Sequence, residues 1–286
     1  MALDKLVDGA QLDSDLASVA NAIRTKGGTS AQLAFPADFV SAVNAIQTGG
    51  GGGLTLDGFC TLAEPNGAVV YTGTAAVGGY AFYGRTAVTS FSAPNLARTN
   101  AIGQVGLAYA THMTSVSLPK VKTLASGVFT GCTALTSVDM PLFEEFSSGS
   151  IFYNCSNLVE IHLPNCNRLN DRTFQGCSKL KRVILNTNKR APSTSAFGTY
   201  CFYSTALDTL VLGGTDDALW KLGNINAFDN TPFKSGGTGG TIYIPEALYN
   251  KLGDGSSLDY QSATNWSTLH SRGTVTWAKI EGSIYE

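Results

Sequence analysis

This chain reads as a β-rich α/β solenoid. The segment Phe129–Pro141, Phe-Thr-Gly-Cys-Thr-Ala-Leu-Thr-Ser-Val-Asp-Met-Pro, returns at Phe152–Pro164 and again at Phe174–Asn186. The leading phenylalanines lie 23 and 22 residues apart, and each copy carries an L-x-x-(V/I)-x-(L/M) tail. Self-similarity at a period in the twenties with such a tail marks stacked leucine-rich repeats. Composition agrees. Charged residues make up 14% of the chain and 32 residues are glycine, where ordinary soluble domains carry roughly 25% charge.

The chain opens on a predicted helical hairpin, residues 1–48. Leu16, Val19 and Ile23 fall on one stripe of a first helix, which Gly27-Gly28 ends. Pro36 opens a second helix whose apolar set includes Phe39, Val43 and Ile46. So short a unit holds little core of its own, so it is expected to dock on a partner, on copies of itself or on the solenoid. Gly49–Gly53 is a five-glycine linker without the Lys-Ser/Thr of a phosphate cradle. Residues 54–79 read as an N-terminal β cap, with Leu54–Leu56 and Ala68–Thr72 as strands about a Pro65-Asn66-Gly67 turn.

Residues 80–245 then read as about seven coils. Their leading residues are Phe82, Leu107, Phe129, Phe152, Phe174, Phe202 and Phe228. No single coil shelters its apolar side, so stacking must supply the core. Residues 246–286 form a predicted C-terminal cap: a helix over Glu246–Leu252, then Trp266 and a strand over Val275–Ile280.

Cys132, Cys155 and Cys177 occupy one slot in three successive copies, which predicts a ladder of buried free thiols. No C-x2-C pair or other close ligand set is present, so neither a metal nor a cofactor is expected. No apolar run approaches the length of a membrane-spanning helix. The acidic N-terminus lacks the pattern of a secretory signal, and the chain is expected to bypass ordinary secretion. The net charge of -2 gives no case for nucleic acid as a partner.

In each tail the two residues flanking the central apolar one point away from the core. Stacked, they form one face running Ser90/Ser92, Ser115/Ser117, Ser137/Asp139, Glu160/His162, Arg182/Ile184, Thr209/Val211 and Thr241/Tyr243. Asp139, Glu160, His162, Arg182, Ile184 and Tyr243 are therefore the candidate ligand-contacting residues. Arg168, Arg172, Lys179, Lys181, Lys189 and Arg190 add a basic patch suited to an anionic polymer. His162 has no nucleophile at a recognisable spacing, so no catalytic residue is expected.

Phe-x-(Gly/Asn)-Cys-(Ser/Thr)-x-Leu-x-x-(Val/Ile)-x-Leu-Pro resembles the BspA-type leucine-rich repeat of bacterial surface and mobile-element proteins. The likeness covers roughly residues 80–245, with Arg85 and Ala110 in place of cysteine in the early coils. The leader Ala20–Pro36 is similar to a segment preceding repeat or fibre domains in tail-associated proteins of phages and prophages of Gram-positive gut bacteria. Together these resemblances imply a non-enzymatic receptor-binding protein of the virion tail, assembled in the host cytoplasm. Its implied partners are a bacterial surface glycan or protein, other tail proteins through residues 1–48, and copies of itself in a homo-oligomer. A cell-surface adhesin of the same repeat family is the alternative. A wall hydrolase would need a carboxylate pair or nucleophile–base set that the sequence does not assemble.

Overall fold

A computed structural model describes residues 67–166, 168–185, 195–214, 220–234, 236–252, 263–273 and 275–281. The chain divides into two compact units, Met1–Leu54 and Thr55–Glu286, and the described residues all belong to the second. The predicted anchor stripe (Leu16, Val19, Ile23, Phe39, Val43, Ile46), the glycine linker, the Leu54–Leu56 strand, Lys189 and Arg190 lie outside them.

The solenoid is built by one backbone bond repeated from coil to coil. The N–H of each leading residue donates to the carbonyl just before the next leading residue. Phe82 reaches Gly106 at 2.7 Å, Leu107 reaches Val128 at 3.1 Å, and Phe129 reaches Ile151 at 2.9 Å. Phe152 then reaches Thr173 at 2.9 Å, Phe174 reaches Cys201 at 2.8 Å, and Phe202 reaches Ala227 at 2.9 Å. Five of the leading rings, Phe129, Phe152, Phe174, Phe202 and Phe228, also stack, with centroids 5.2, 5.4, 5.9 and 5.3 Å apart. The result is a β-solenoid of about five regular turns with few helices, extended towards the N-terminus by the coils of Leu107 and Phe82.

The motif's spelling follows from this geometry. The residue two after each leading position adopts a left-handed backbone: Gly131 at φ 70°, Asn154 at φ 60°, Gly176 at φ 79°. Glycine and asparagine tolerate that region best, which explains the Gly/Asn slot. The next residue turns inward. Cys132, Cys155 and Cys177 are all buried free thiols in that slot, as the spacing predicts. Each donates to the leading residue's carbonyl one coil back, at 3.2, 3.2 and 3.0 Å. Where Thr205 and Thr231 take the slot, the hydroxyl instead donates within its own coil, to Phe202 at 2.8 Å and Phe228 at 2.6 Å.

The coil tails form short parallel strands. These are β1 (Ala68–Val70), β2 (Ser90–Ser92), β3 (Ser115–Ser117), β5 (Ser137–Asp139), β7 (Glu160–Leu163), β8 (Arg182–Leu185), β9 (Thr209–Leu212), β10 (Gly240–Ile244) and β11 (Val275–Lys279). A second, smaller ladder pairs β4 (Thr123–Leu124) with β6 (Glu145–Phe146). β1 pairs with β2 in parallel and so continues the repeat sheet. Its predicted hairpin partner is not among the described residues.

The tail strands do not make one sheet. They form a four-stranded sheet β1-β2-β3-β5 and a five-stranded sheet β11-β10-β9-β8-β7, so the predicted single face is corrected to two. The break falls at Val138, the described strand-centre residue left only partly buried, whereas Phe91, Val116 and Ile161 are within 2% of full burial. Asp139 on β5 and Glu160 on β7 border it.

Beyond β10, the helix α1 (Glu246–Leu252) starts directly after Pro245, and α2 (Ala263–Ser271) precedes β11. Trp266 on α2 is buried against Phe228 at 6.3 Å and Trp277 at 5.4 Å, and its indole N–H donates to the Trp220 carbonyl at 2.8 Å.

Candidate functional site

The outward positions of the five-stranded sheet form two rows. One runs Glu160, Arg182, Thr209, Thr241, and the other His162, Ile184, Val211, Tyr243, as parallel register requires. The rows differ in access. Glu160 is exposed, while Arg182, Thr209 and Thr241 are half-buried. Ile184 is 1% exposed and Val211 is 0% exposed, although both point away from the repeat core. β8 and β9 are buried at three consecutive positions, as expected of strands covered on both faces. Ile184 is thus corrected from a ligand-contacting residue to a packed one. Tyr243 is half-buried at the end of the same row.

Charge gathers at the β7 edge. The Arg182 guanidinium donates to the Glu160 carboxylate at 3.1 Å. This solvent-facing pair is worth about 0–1 kcal/mol. His162 stands in the adjacent row, half-buried, with Nε2 enclosed and no hydrogen-bond partner. Burial pulls its pKa below the usual value; Glu160 pulls it back up and Arg182 pushes it down. A neutral imidazole is therefore favoured. Asp139 lies on the other sheet, exposed, and accepts from the Ser117 hydroxyl at 2.8 Å. The structure thus sets Glu160 against Arg182 with His162 in the neighbouring row, and leaves Asp139 on the adjoining sheet.

The predicted basic patch is distributed around one coil. Arg168 lines an open polar pocket with Glu145, Ser147, Asn170 and Asp171. Arg172 sits in a left-handed turn position at φ 55°. The Lys179 ammonium donates to the Asn157 side chain at 2.7 Å, and Lys181 is exposed beside β8. Arg168, Arg172, Lys179 and Lys181 thus each have their own surroundings along the coil.

One exposed aromatic group among the described residues falls outside the positions that the sequence singles out. Tyr80, Tyr83 and Tyr109 stand in contact at the solenoid edge, 61%, 47% and 44% exposed. The available signal was positional: Tyr109 fills a slot that holds Gly131, Asn154 and Gly176 in the following turns. Among the described residues no group of His, Cys, Asp and Glu is placed to hold a metal ion. Nor, among these residues, is any helix long and apolar enough to cross a membrane.

Parallel coils of 22 to 28 residues, each led by an inward aromatic or leucine and closed by a short strand, define a leucine-rich-repeat solenoid. A family model described as BspA type leucine rich repeat region matches with six copies over residues 69–181 and 100–234, more than half of the chain. This chain belongs to the BspA-type leucine-rich-repeat family. No curated protein and no solved structure matches it.

Proposed function

We propose that this chain is a non-enzymatic binding protein whose solenoid contacts a bacterial cell surface, as a receptor-binding component of a phage or prophage tail. Repeats of this family suggest a binding or adhesion role. The observation that carries the reading is the outward row Glu160, Arg182, Thr209, Thr241, set in register on a stacked sheet. Stacked repeat sheets offer extended surfaces for ligands. The tail setting is supported by the leader Ala20–Pro36, with residues 1–48 as the attachment to other tail proteins. The surface partner is a glycan or a protein, and the protein resides in the virion.

In this non-enzymatic reading His162 is a packed side chain, its Nε2 enclosed and without a hydrogen-bond partner among the described residues. Cryo-imaging of induced particles tests the setting: residues 1–48 are expected inside the tail scaffold, with the solenoid outward. Purified fluorescent chain is expected to label Gram-positive gut bacteria. Absence of both results, or release of soluble fragments from purified cell walls, sinks the proposal.

A further inference from the structure

Tyr80, Tyr83 and Tyr109 form a contiguous aromatic group, with ring centroids 5.6 Å apart for Tyr80–Tyr83 and 5.3 Å for Tyr83–Tyr109. Two of them hold left-handed backbone, Tyr80 at φ 60° and Tyr109 at φ 59°. The same two slots are left-handed along the solenoid, at Val105, Gly131, Ser150, Asn154, Arg172 and Gly176, so this backbone belongs to the repeat. The three rings are largely exposed. The core therefore gains little from them, although the Tyr109 ring lies over Gly131 of the next coil.

The surroundings narrow the ligand. Gly78 and Gly84 flank the rings, and a Cβ on either would meet nothing within 4 Å, so a flat ligand has room to approach. Arg85 stands exposed in the slot that holds a buried cysteine in later turns. From Pro65 to Val138 the chain contains no Asp or Glu, while Arg85, Arg98, Lys120 and Lys122 are cationic. Lys122 alone of these is paired, with Glu144 at 3.0 Å. The described residues of these first coils therefore present cations with no carboxylate among them before Asp139. Tyrosine and arginine also anchor protein interfaces, but the run without Asp or Glu turns this surface towards an anionic occupant. Here the rings carry only hydroxyl tips and a guanidinium. The negative ring faces suit the C–H faces of sugar rings, and Arg85 suits a carboxylate.

We propose that Tyr80, Tyr83 and Tyr109 form a sugar-stacking platform that, with Arg85 beside it, takes pyranose units of an anionic polysaccharide. This rests on the cell-surface reading and names both the ligand class and the place, an edge of the solenoid away from the Glu160–Arg182 row.

The test is affinity electrophoresis of the full chain in gels holding polygalacturonate, dextran or inorganic polyphosphate, paired with binding to whole cells. Polygalacturonate is expected to retard the chain most, dextran less, and polyphosphate least. Tyr83→Ala should weaken retardation about tenfold. Tyr83→Phe should keep most of it, and Arg85→Gln should bring polygalacturonate down to the dextran level. Equal retardation by polyphosphate, or none by any polymer, overturns the platform. Cell binding unchanged by Tyr83→Ala overturns it too, while leaving the cell-surface reading intact. No cell binding by any form removes both. Binding lost in Tyr83→Ala and abolished by protease but not periodate treatment of the cells means a protein occupant, and refutes the polysaccharide. The thermal midpoint of Tyr83→Ala, expected to match the parent, guards against misfolding as the cause.

Discussion

The thiol of Cys155 donates to the Phe129 carbonyl one coil back, at 3.2 Å. The same slot therefore fills a gap between coils and closes a hydrogen bond across it. Ala110 occupies the slot in an earlier coil and stays fully buried, so the position accepts a smaller side chain. Cys155→Ala is expected to fold and to lose about 1 kcal/mol of stability, as for the loss of one buried heavy atom. Urea unfolding followed by circular dichroism measures this. An unchanged midpoint would show that the thiol adds nothing.

Burial also sets the chemistry of these thiols. It pushes Cys132 and Cys166 up to about 12 and raises Cys155 and Cys201 well above the ordinary thiol value. The thiolate is the reactive form, so it is nearly absent at neutral pH. Iodoacetamide at pH 8 is expected to leave peptides containing Cys132, Cys155, Cys166, Cys177 and Cys201 unlabelled in the native chain, and to label all five in urea. Mass spectrometry of the digest reads the result. Rapid native labelling of Cys155 would contradict its place in the core.

Phe152 lies between Phe129 and Phe174, its ring centroid 5.2 and 5.4 Å from theirs. Removing it opens a void at an interface between coils. Phe152→Ala is expected to cost about 3–5 kcal/mol. Solenoid stability is carried by neighbouring interfaces, so unfolding should also lose cooperativity, with the two sides melting separately. Phe152→Leu should cost less, about 1–1.5 kcal/mol, because Leu107 fills the same position earlier. Calorimetry distinguishes one transition from two. A single sharp transition for Phe152→Ala would argue against coil-by-coil coupling.

The repeat was legible in the sequence because each coil's strongest constraints recur in place. A leading aromatic, a left-handed slot and a central strand residue at fixed offsets gave the register, and the rows Glu160–Arg182–Thr209–Thr241 follow from it. The burial of Ile184 and Val211 was not legible, because alternation within a strand presumes every outward position open to water, and at these two it is covered. The break between β5 and β7 escaped for a similar reason: Val138 has the spelling of a core residue but is only partly buried. The cations from Arg168 to Lys181 follow one coil, so nearness in sequence does not by itself set them side by side. The tyrosine group went unnoticed because Tyr109 lies 26 positions beyond Tyr83 and meets it only after stacking.

Gly176 and Gly84 share the left-handed slot, at φ 79° and φ 66°, but not the same surroundings. A Cβ on Gly176 would run into the Asn154 side chain, whereas one on Gly84 meets nothing within 4 Å. Gly84→Ala therefore carries only the backbone strain, about 1–2 kcal/mol. Gly176→Ala adds a clash and should lose at least about 1 kcal/mol more. Paired urea titrations compare them directly. Equal losses would place the whole effect in the backbone.

His162 gives a pH dependence with a definite sign. Its enclosed, unpartnered Nε2 and half-buried ring pull the folded pKa below the ordinary value of 6.5, mainly through burial. The unfolded chain then takes up a proton at higher pH than the folded one. Its contribution is fully present above pH 6.5 and is lost as pH falls below it. No single group changes stability by more than about 1.4 kcal/mol per pH unit, which bounds the slope. The parent's thermal midpoint should fall between pH 7 and pH 5, before the bulk of the carboxylates titrate. His162→Gln should flatten that fall, because glutamine takes up no proton. Arg182→Gln should reduce the slope, since the guanidinium is one of the two charges acting on the imidazole and opposes its protonation. Identical pH profiles for the parent and His162→Gln would show that the imidazole is as freely hydrated in the fold as in the unfolded chain.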